Sequence, residues 1–177
     1  MSTQLESHSF TLPRRSGPRP RVTGHTPQVQ LDQFPLQSLR PVLLQRLHAL
    51  PGVTFAPSRR APHGTVGLHL CDAAGGECAF MIDQEFAHVH PGEDASLHLL
   101  LPDPLRLRAV EAGWAEPHPL AGYPTVPMGI VFVYAPRTPQ ELDVVVDLVT
   151  ASWRNAFATI EHPLDNNNPC QETRHGH

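Results

Sequence analysis

His88 and His90 stand two residues apart in "EFAHVH", and His98 follows in "SLHLLLP". Residues i and i+2 of a β-strand point to the same face, so an HxH pair on a strand presents two imidazoles together. The segment "PGEDA" (91–95) separates the two. If those five residues connect an antiparallel pair, His90 lies opposite Ser96 and His88 opposite His98, and three rings share one face. Directly opposed Cβ atoms sit about 4.5 to 5.5 Å apart, close enough for three nitrogens to reach one ion. Zinc, iron or manganese accept such ligands, and catalytic zinc commonly keeps three protein ligands and an open position. The alternative is a strand with one wet face, on which histidine is an ordinary polar member.

Further candidates surround the cluster. Glu116 and His118 lie in "GWAEPHPLAG", where Pro117 and Pro119 restrict the backbone around His118, as a positioned acid or base requires. The alternative there is a surface loop anchored by Trp114, with both polar side chains in solvent. Glu93 and Asp94 could supply an oxygen ligand, orient an imidazole by accepting its second N–H, or simply be solvated. Ser96 beside His90 and Asp94 suggests a nucleophile, but no G-x-S-x-G elbow accompanies it. Arg137 precedes a capping sequence and could meet an anion at a helix N-terminus, or be a surface arginine. Neither G-x-G-x-x-G nor a phosphate loop occurs, so no nucleotide cofactor is expected. All 13 positive side chains are arginine, which excludes lysine Schiff-base chemistry and pyridoxal-phosphate attachment.

Positioning these residues requires regular elements. Leu39, Leu43, Leu47 and Leu50 recur at helical spacing, with Ser38 as cap and Pro51-Gly52 as terminator. "GTVGLHLC" (64–71) and "CAFMI" (78–82) read as strands joined by a "DAAGGE" turn, which would bring Cys71 and Cys78 face to face. Strands 85–90 and 96–102 follow, the second with Leu97, Leu99 and Leu101 on the face opposite His98. Asp103-Pro104 opens a short helix that Gly113 closes. The proline-rich stretch 114–127 reads as an extended loop, and "MGIVFVY" (128–134) as a covered strand. Thr138-Pro139-Gln140-Glu141 is a capping box for a helix to about Phe157. The class is α+β: an antiparallel sheet of about five strands with helices packed on one face.

Length and charge set the frame. The chain has 177 residues, enough for one domain, and 20 prolines argue against a helical bundle. Residues 1–33 lack apolar periodicity and read as a flexible basic arm; residues 34–160 form the domain, and 161–177 a flexible tail. Net charge is −4, with Arg14, Arg15, Arg19 and Arg21 against Glu6 giving +3 in the first 30 residues and −7 in the rest. An acidic body does not suit phosphate backbones, so no nucleic acid is expected on it. No apolar run approaches the roughly 18 to 20 residues that span a bilayer, and the first 30 residues lack a signal-peptide core. With three cysteines and no CxxC, the expectation is a reduced, cytoplasmic setting.

At "EFAHVHPGEDASLHLLLP", "GWAEPHPLAG" and "VFVYAPRTPQELDVVVDLVTASW" the chain resembles a family of small bacterial and fungal proteins that carry a luciferase domain. The resemblance covers about residues 36 to 158. It falls on His88, His90, Asp94, Ser96, His98, Trp114, Glu116, His118, Pro119, Tyr134, Pro136 and Arg137. Ala95 and Ala115 stand where the family usually carries glycine. The spacing arguments make His88, His90 and His98 candidate metal ligands and Glu116 or His118 the acid/base, and the resemblance falls on the same positions. Asp94, Ser96, Trp114 and Arg137 would then contact a small-molecule ligand or substrate. The family name implies light-emitting oxidation, although no flavin or adenylate motif accompanies it. Two functions stay open: a small enzyme with a histidine-rich, metal-assisted site, and a non-catalytic module that binds a small molecule or protein.

Overall fold

The computed structural model of the chain describes residues 12–71 and 75–157. The leucine periodicity forms α1 (Leu39–His48), burying Leu39, Leu43 and Leu47, and Pro51-Gly52 turns the chain into β1 (Val53–Pro57). Then come β2 (Val66–Leu70), β3 (Glu85–Val89), β4 (Leu97–Leu100), α2 (Leu105–Glu111), β5 (Ala115–Pro117), β6 (Ile130–Val133) and α3 (Pro139–Phe157). The strands make one antiparallel sheet in the order β1-β2-β3-β4-β6-β5. This is the expected α+β arrangement, with six strands rather than about five.

The two faces of the sheet have different neighbours. Leu68, Ala87, Leu99 and Val131 form one apolar row, and Val89, Leu97, Val133 and Ala115 belong to the next. Both rows lie in the core with Leu43 and Leu47 of α1 and Val145, Leu148 and Val149 of α3. Each such aliphatic side chain contributes about 1.5 to 3 kcal/mol when fully buried, so this face sets the register. The capping sequence of α3 closes on Thr138, whose Oγ1 accepts the Glu141 N–H at 3.2 Å. The Glu141 carboxylate reaches one residue beyond the usual box and accepts the Arg137 N–H at 2.8 Å.

Three expectations change. "CAFMI" is not a strand: Glu77–Ala79 is a 3-10 turn, and Ile82 bridges only to Glu85. The edge of β2 that this segment would have paired is taken by β3, with Val66 opposite Val89. Cys71 is an exposed free thiol, so the two cysteines do not meet across a hairpin. The proline-rich loop contributes β5 at the sheet edge, where a proline can sit without breaking a ladder.

The third change concerns the basic arm. Residues 12–33 pack on the domain: Trp114 Nε1 donates to the Pro13 carbonyl at 2.6 Å, and the Arg15 N–H donates to the Ala112 carbonyl at 2.9 Å. Arg15, Gln28 and Gln30 are buried. This segment docks through hydrogen bonds of its main chain and its polar side chains, which leave no hydrophobic periodicity in the sequence. Residues 1–11 of the arm, and the tail 161–177, lie outside the described residues.

Candidate functional site

On the face away from the helices, Gly67, His88, His98, Phe132 and Glu116 form a single row across five strands. His90 extends the cluster just past β3, its N–H donating to the Ser96 carbonyl at 2.8 Å. His88, His90 and His98 are all buried, and each offers a nitrogen such that the three lie within 4.8 Å of one another. Their ring centroids form a near-regular triangle with sides of 5.4, 5.0 and 5.0 Å.

A β-bulge adds a carboxylate to this face. Leu68 opposes Ala87 and His69 opposes Glu85, so Phe86 is one extra residue in β3. Glu85 is thereby turned onto the histidine face instead of joining Ala87 and Val89. Its Oε1 lies 2.7 Å from His88 Nδ1 and accepts the Ser58 hydroxyl at 2.9 Å. Its Oε2 is buried without a hydrogen-bond partner, 3.7 Å from His69 Nε2.

Each ring is held from outside by an acceptor. His88 Nδ1 faces Glu85, and His90 Nδ1 faces Asp94 Oδ2 at 2.9 Å and Ser96 Oγ at 3.0 Å. His98 Nε2 faces Gln28 Oε1 at 3.1 Å. A neutral imidazole carries one N–H, so donating it outward leaves the other nitrogen's lone pair for the interior of the cluster. His88 Nε2 and His98 Nδ1 are the inward atoms of their rings, 3.0 Å apart. Carboxylates and carbonyls holding the second nitrogen of metal-binding histidines are the usual outer shell of such centres. Burial holds His98 well below the ordinary imidazole pKa, with the charges of His88, His90 and His118 acting the same way. His88 is also lowered, by burial against the opposing hydrogen bond of Glu85.

The cluster forms the floor of a cavity of about 360 Å³. Pro27, Pro62, Met81, Leu120, Val126 and Ile130 give it largely apolar walls. His118 lines the cavity too, its ring centroid 4.9 Å from that of His98. Its Nδ1 accepts the Leu120 N–H at 3.1 Å, which places the proton of the neutral ring on Nε2. Burial, with the charge of His88, lowers its pKa.

Other expected site residues sit behind the cavity rather than in its wall. Glu116 is fully engaged: Oε1 accepts from Gln28 Nε2 at 2.7 Å and Oε2 from the Tyr134 hydroxyl at 2.9 Å. Burial, with Glu116 beside it, pushes the Tyr134 phenol up to about 12. Asp94 and Ser96 bind each other and His90. Trp114 is 3% exposed in the core. Arg137 is chelated by Glu141 through Nε at 3.0 and 3.1 Å, and it also donates to Gln33 Oε1 at 3.0 Å and the Ser16 carbonyl at 2.8 Å. None of these five expected residues lines the cavity. Glu85 and Gln28 belong to the site and carry no signal in the sequence: the first depends on a bulge, the second on a segment without pattern.

Comparison with known proteins places these blocks. The family described as "Luciferase domain" matches residues 83–152. Proteins named luciferase from Armillaria gallica and Armillaria mellea are each 32% identical over 171 residues, covering 80% of this chain and 59% of the relative. A luciferase from Neonothopanus nambi is 30% identical over 158 residues, with the same coverage. The chain thus spans about three fifths of the length of these curated relatives. No solved structure matches. Among the described residues, no helix is long and apolar enough to cross a membrane.

Proposed function

Residues 83–152 carry a luciferase domain, and on that premise we propose that the chain is a small enzyme whose histidine cluster binds a divalent transition metal beside a small-molecule substrate. The observation that supports this most is the set of outward hydrogen bonds, which leaves three imidazole nitrogens turned toward one another. His88, His90 and His98 would hold the ion, with zinc, iron or manganese fitting an all-imidazole set. Bound there, the ion would supply Lewis acidity or, as iron or manganese, redox chemistry.

The chain's own residues divide the remaining work. Glu85, Asp94 with Ser96, and Gln28 orient the three rings. The apolar walls exclude water from a ligand seated over them. His118 holds a proton on Nε2 at the cavity wall, so it serves as a hydrogen-bond donor or general acid to a ligand oxygen and not, in that tautomer, as a base. The relatives are named luciferases, and by extension the substrate here is a small molecule that is oxidised.

Metal analysis of full-length protein purified without a histidine tag tests the proposal. Stoichiometric zinc, iron or manganese is expected in the wild type, with strong loss in His88→Ala, His90→Ala and His98→Ala. Wild-type protein that stays metal-free after incubation with each ion would overturn metal assistance and leave a binding module whose histidines only hydrogen-bond.

A further inference from the structure

Gln28 is only 2% exposed and stands between two groups with opposite demands. Its Nε2 is 2.7 Å from Glu116 Oε1, and its Oε1 is 3.1 Å from His98 Nε2. A glutamine amide is nearly symmetric in shape, so it can be turned over with little steric change. A carboxylate only accepts hydrogen bonds. Both Glu116 oxygens act as acceptors, since the Tyr134 hydroxyl occupies the second. The NH₂ end of Gln28 must therefore face Glu116 and its carbonyl end must face His98. That carbonyl accepts a hydrogen bond from the Nε2–H and leaves the His98 Nδ1 lone pair directed at His88 Nε2. Turned over, the amide would donate to Nε2 and move the ring proton to Nδ1, where it would block the cluster.

We propose that Gln28 and Glu116 are positioning residues that hold His98 in its Nε2–H tautomer and so make Nδ1 the nitrogen offered to the cluster. The assignment rests on the metal-site reading for its purpose but not for its geometry. It gives Glu116 a role behind the site, through Gln28, instead of one as acid or base at the substrate. It also makes the segment before α1 part of the functional machinery: the orientation of a β4 side chain is decided by a residue 70 positions earlier in the chain.

The test uses full-length, metal-free protein with ¹⁵N-labelled histidine, read by long-range ¹H–¹⁵N correlation at neutral pH, together with zinc titration. Wild-type His98 should show a protonated Nε2 and an unprotonated Nδ1. Glu116→Gln replaces an obligate acceptor with an amide that can present either end, and Gln28→Met removes the acceptor at nearly constant length. Each should move His98 toward the Nδ1–H form and weaken zinc binding by about 10- to 100-fold, the usual effect of losing an outer-shell partner. If Glu116→Gln does not fold, Gln28→Met carries the same readout. A wild-type His98 protonated on Nδ1, or variants that keep both the wild-type tautomer and the wild-type zinc affinity, would overturn the assignment. Absence of zinc binding by wild-type protein with the expected tautomer would instead count against the metal reading alone.

Discussion

His88 and His98 face each other directly across β3 and β4, with Nε2 of the first 3.0 Å from Nδ1 of the second. Two lone pairs at that separation repel. With Glu85 and Gln28 drawing the ring protons outward, both inward nitrogens present lone pairs, and a cation between them would relieve that repulsion. The Glu85 carboxylate is buried beside them, and the three histidines could hold a metal ion in a place shielded from solvent.

Acid should destabilise the metal-free protein in a defined direction. His88 and His98 have folded-state pKa values below the ordinary 6.5. Below that value the unfolded chain binds more protons than the folded one. The stability associated with the neutral rings is thus complete above about 6.5 and is lost as pH falls through the folded-state values. Thermal melts from neutral to acidic pH should show this decline, and His98→Leu should flatten it. An equally steep decline in that variant would assign the effect to other groups.

Gly67 opposes His88 and leaves room for Glu85. A Cβ at this position would lie 2.9 Å from His69 Nε2, 3.0 Å from Glu85 Oε2 and 3.1 Å from the Ala56 carbonyl. Gly67→Ala should cost about 1 to 3 kcal/mol, the range for overpacking a tight site. Chemical denaturation measures the loss, and a crystal structure of the variant should show Glu85 displaced from His88. A neutral substitution would mean that the bulge relaxes without strain.

Trp114 ties the segment before α1 to the domain. Trp114→Phe keeps most of the buried ring but loses the hydrogen bond to Pro13, at a cost of about 0.5 to 1.5 kcal/mol. Trypsin cleavage after Arg14 and Arg15 should accelerate in this variant, because Arg15 is buried only while the segment is docked. Removal of residues through Gln33 should lower the melting temperature by several degrees, since it also uncovers His98 and strips Glu116 of Gln28. Unchanged proteolysis in Trp114→Phe would show that other contacts suffice.

Arg137 should behave as a structural residue. Its guanidinium holds Glu141, whose carboxyl stays low because the hydrogen bonds from Arg137 and the charge of Arg15 outweigh the opposing effect of burial. Arg137→Lys cannot reproduce the forked contacts. The expected result is a reduced melting temperature with zinc binding close to wild type. A selective loss of zinc binding at unchanged stability would return Arg137 to the site.

Legibility followed sequence distance and periodicity. The two-residue repeat of His88 and His90, the five residues to Ser96 and the alternating leucines together fix the β3–β4 register. The Thr138 to Glu141 box fixes the start of α3 for similarly local reasons. Glu85 was invisible because strict alternation assigns it to the face of Ala87 and Val89, and only the extra residue at Phe86 reverses that. Gln28 was invisible because its partners are 70 and 88 positions away and its own neighbours have no apolar pattern. "CAFMI" has strand-like composition, but the edge it would have joined was already filled by β3.

The contacts that complete the site close far more chain than the cluster itself. His88 and His98 are 10 residues apart, within one hairpin, whereas Gln28 to Glu116 spans 88 and Trp114 to Pro13 spans 101. Loop-closure entropy grows with the length of chain enclosed, and long-range contacts slow folding. The histidine hairpin is therefore a local unit while its cover depends on contacts drawn from across the chain, so enclosing the centre costs more chain entropy than forming it.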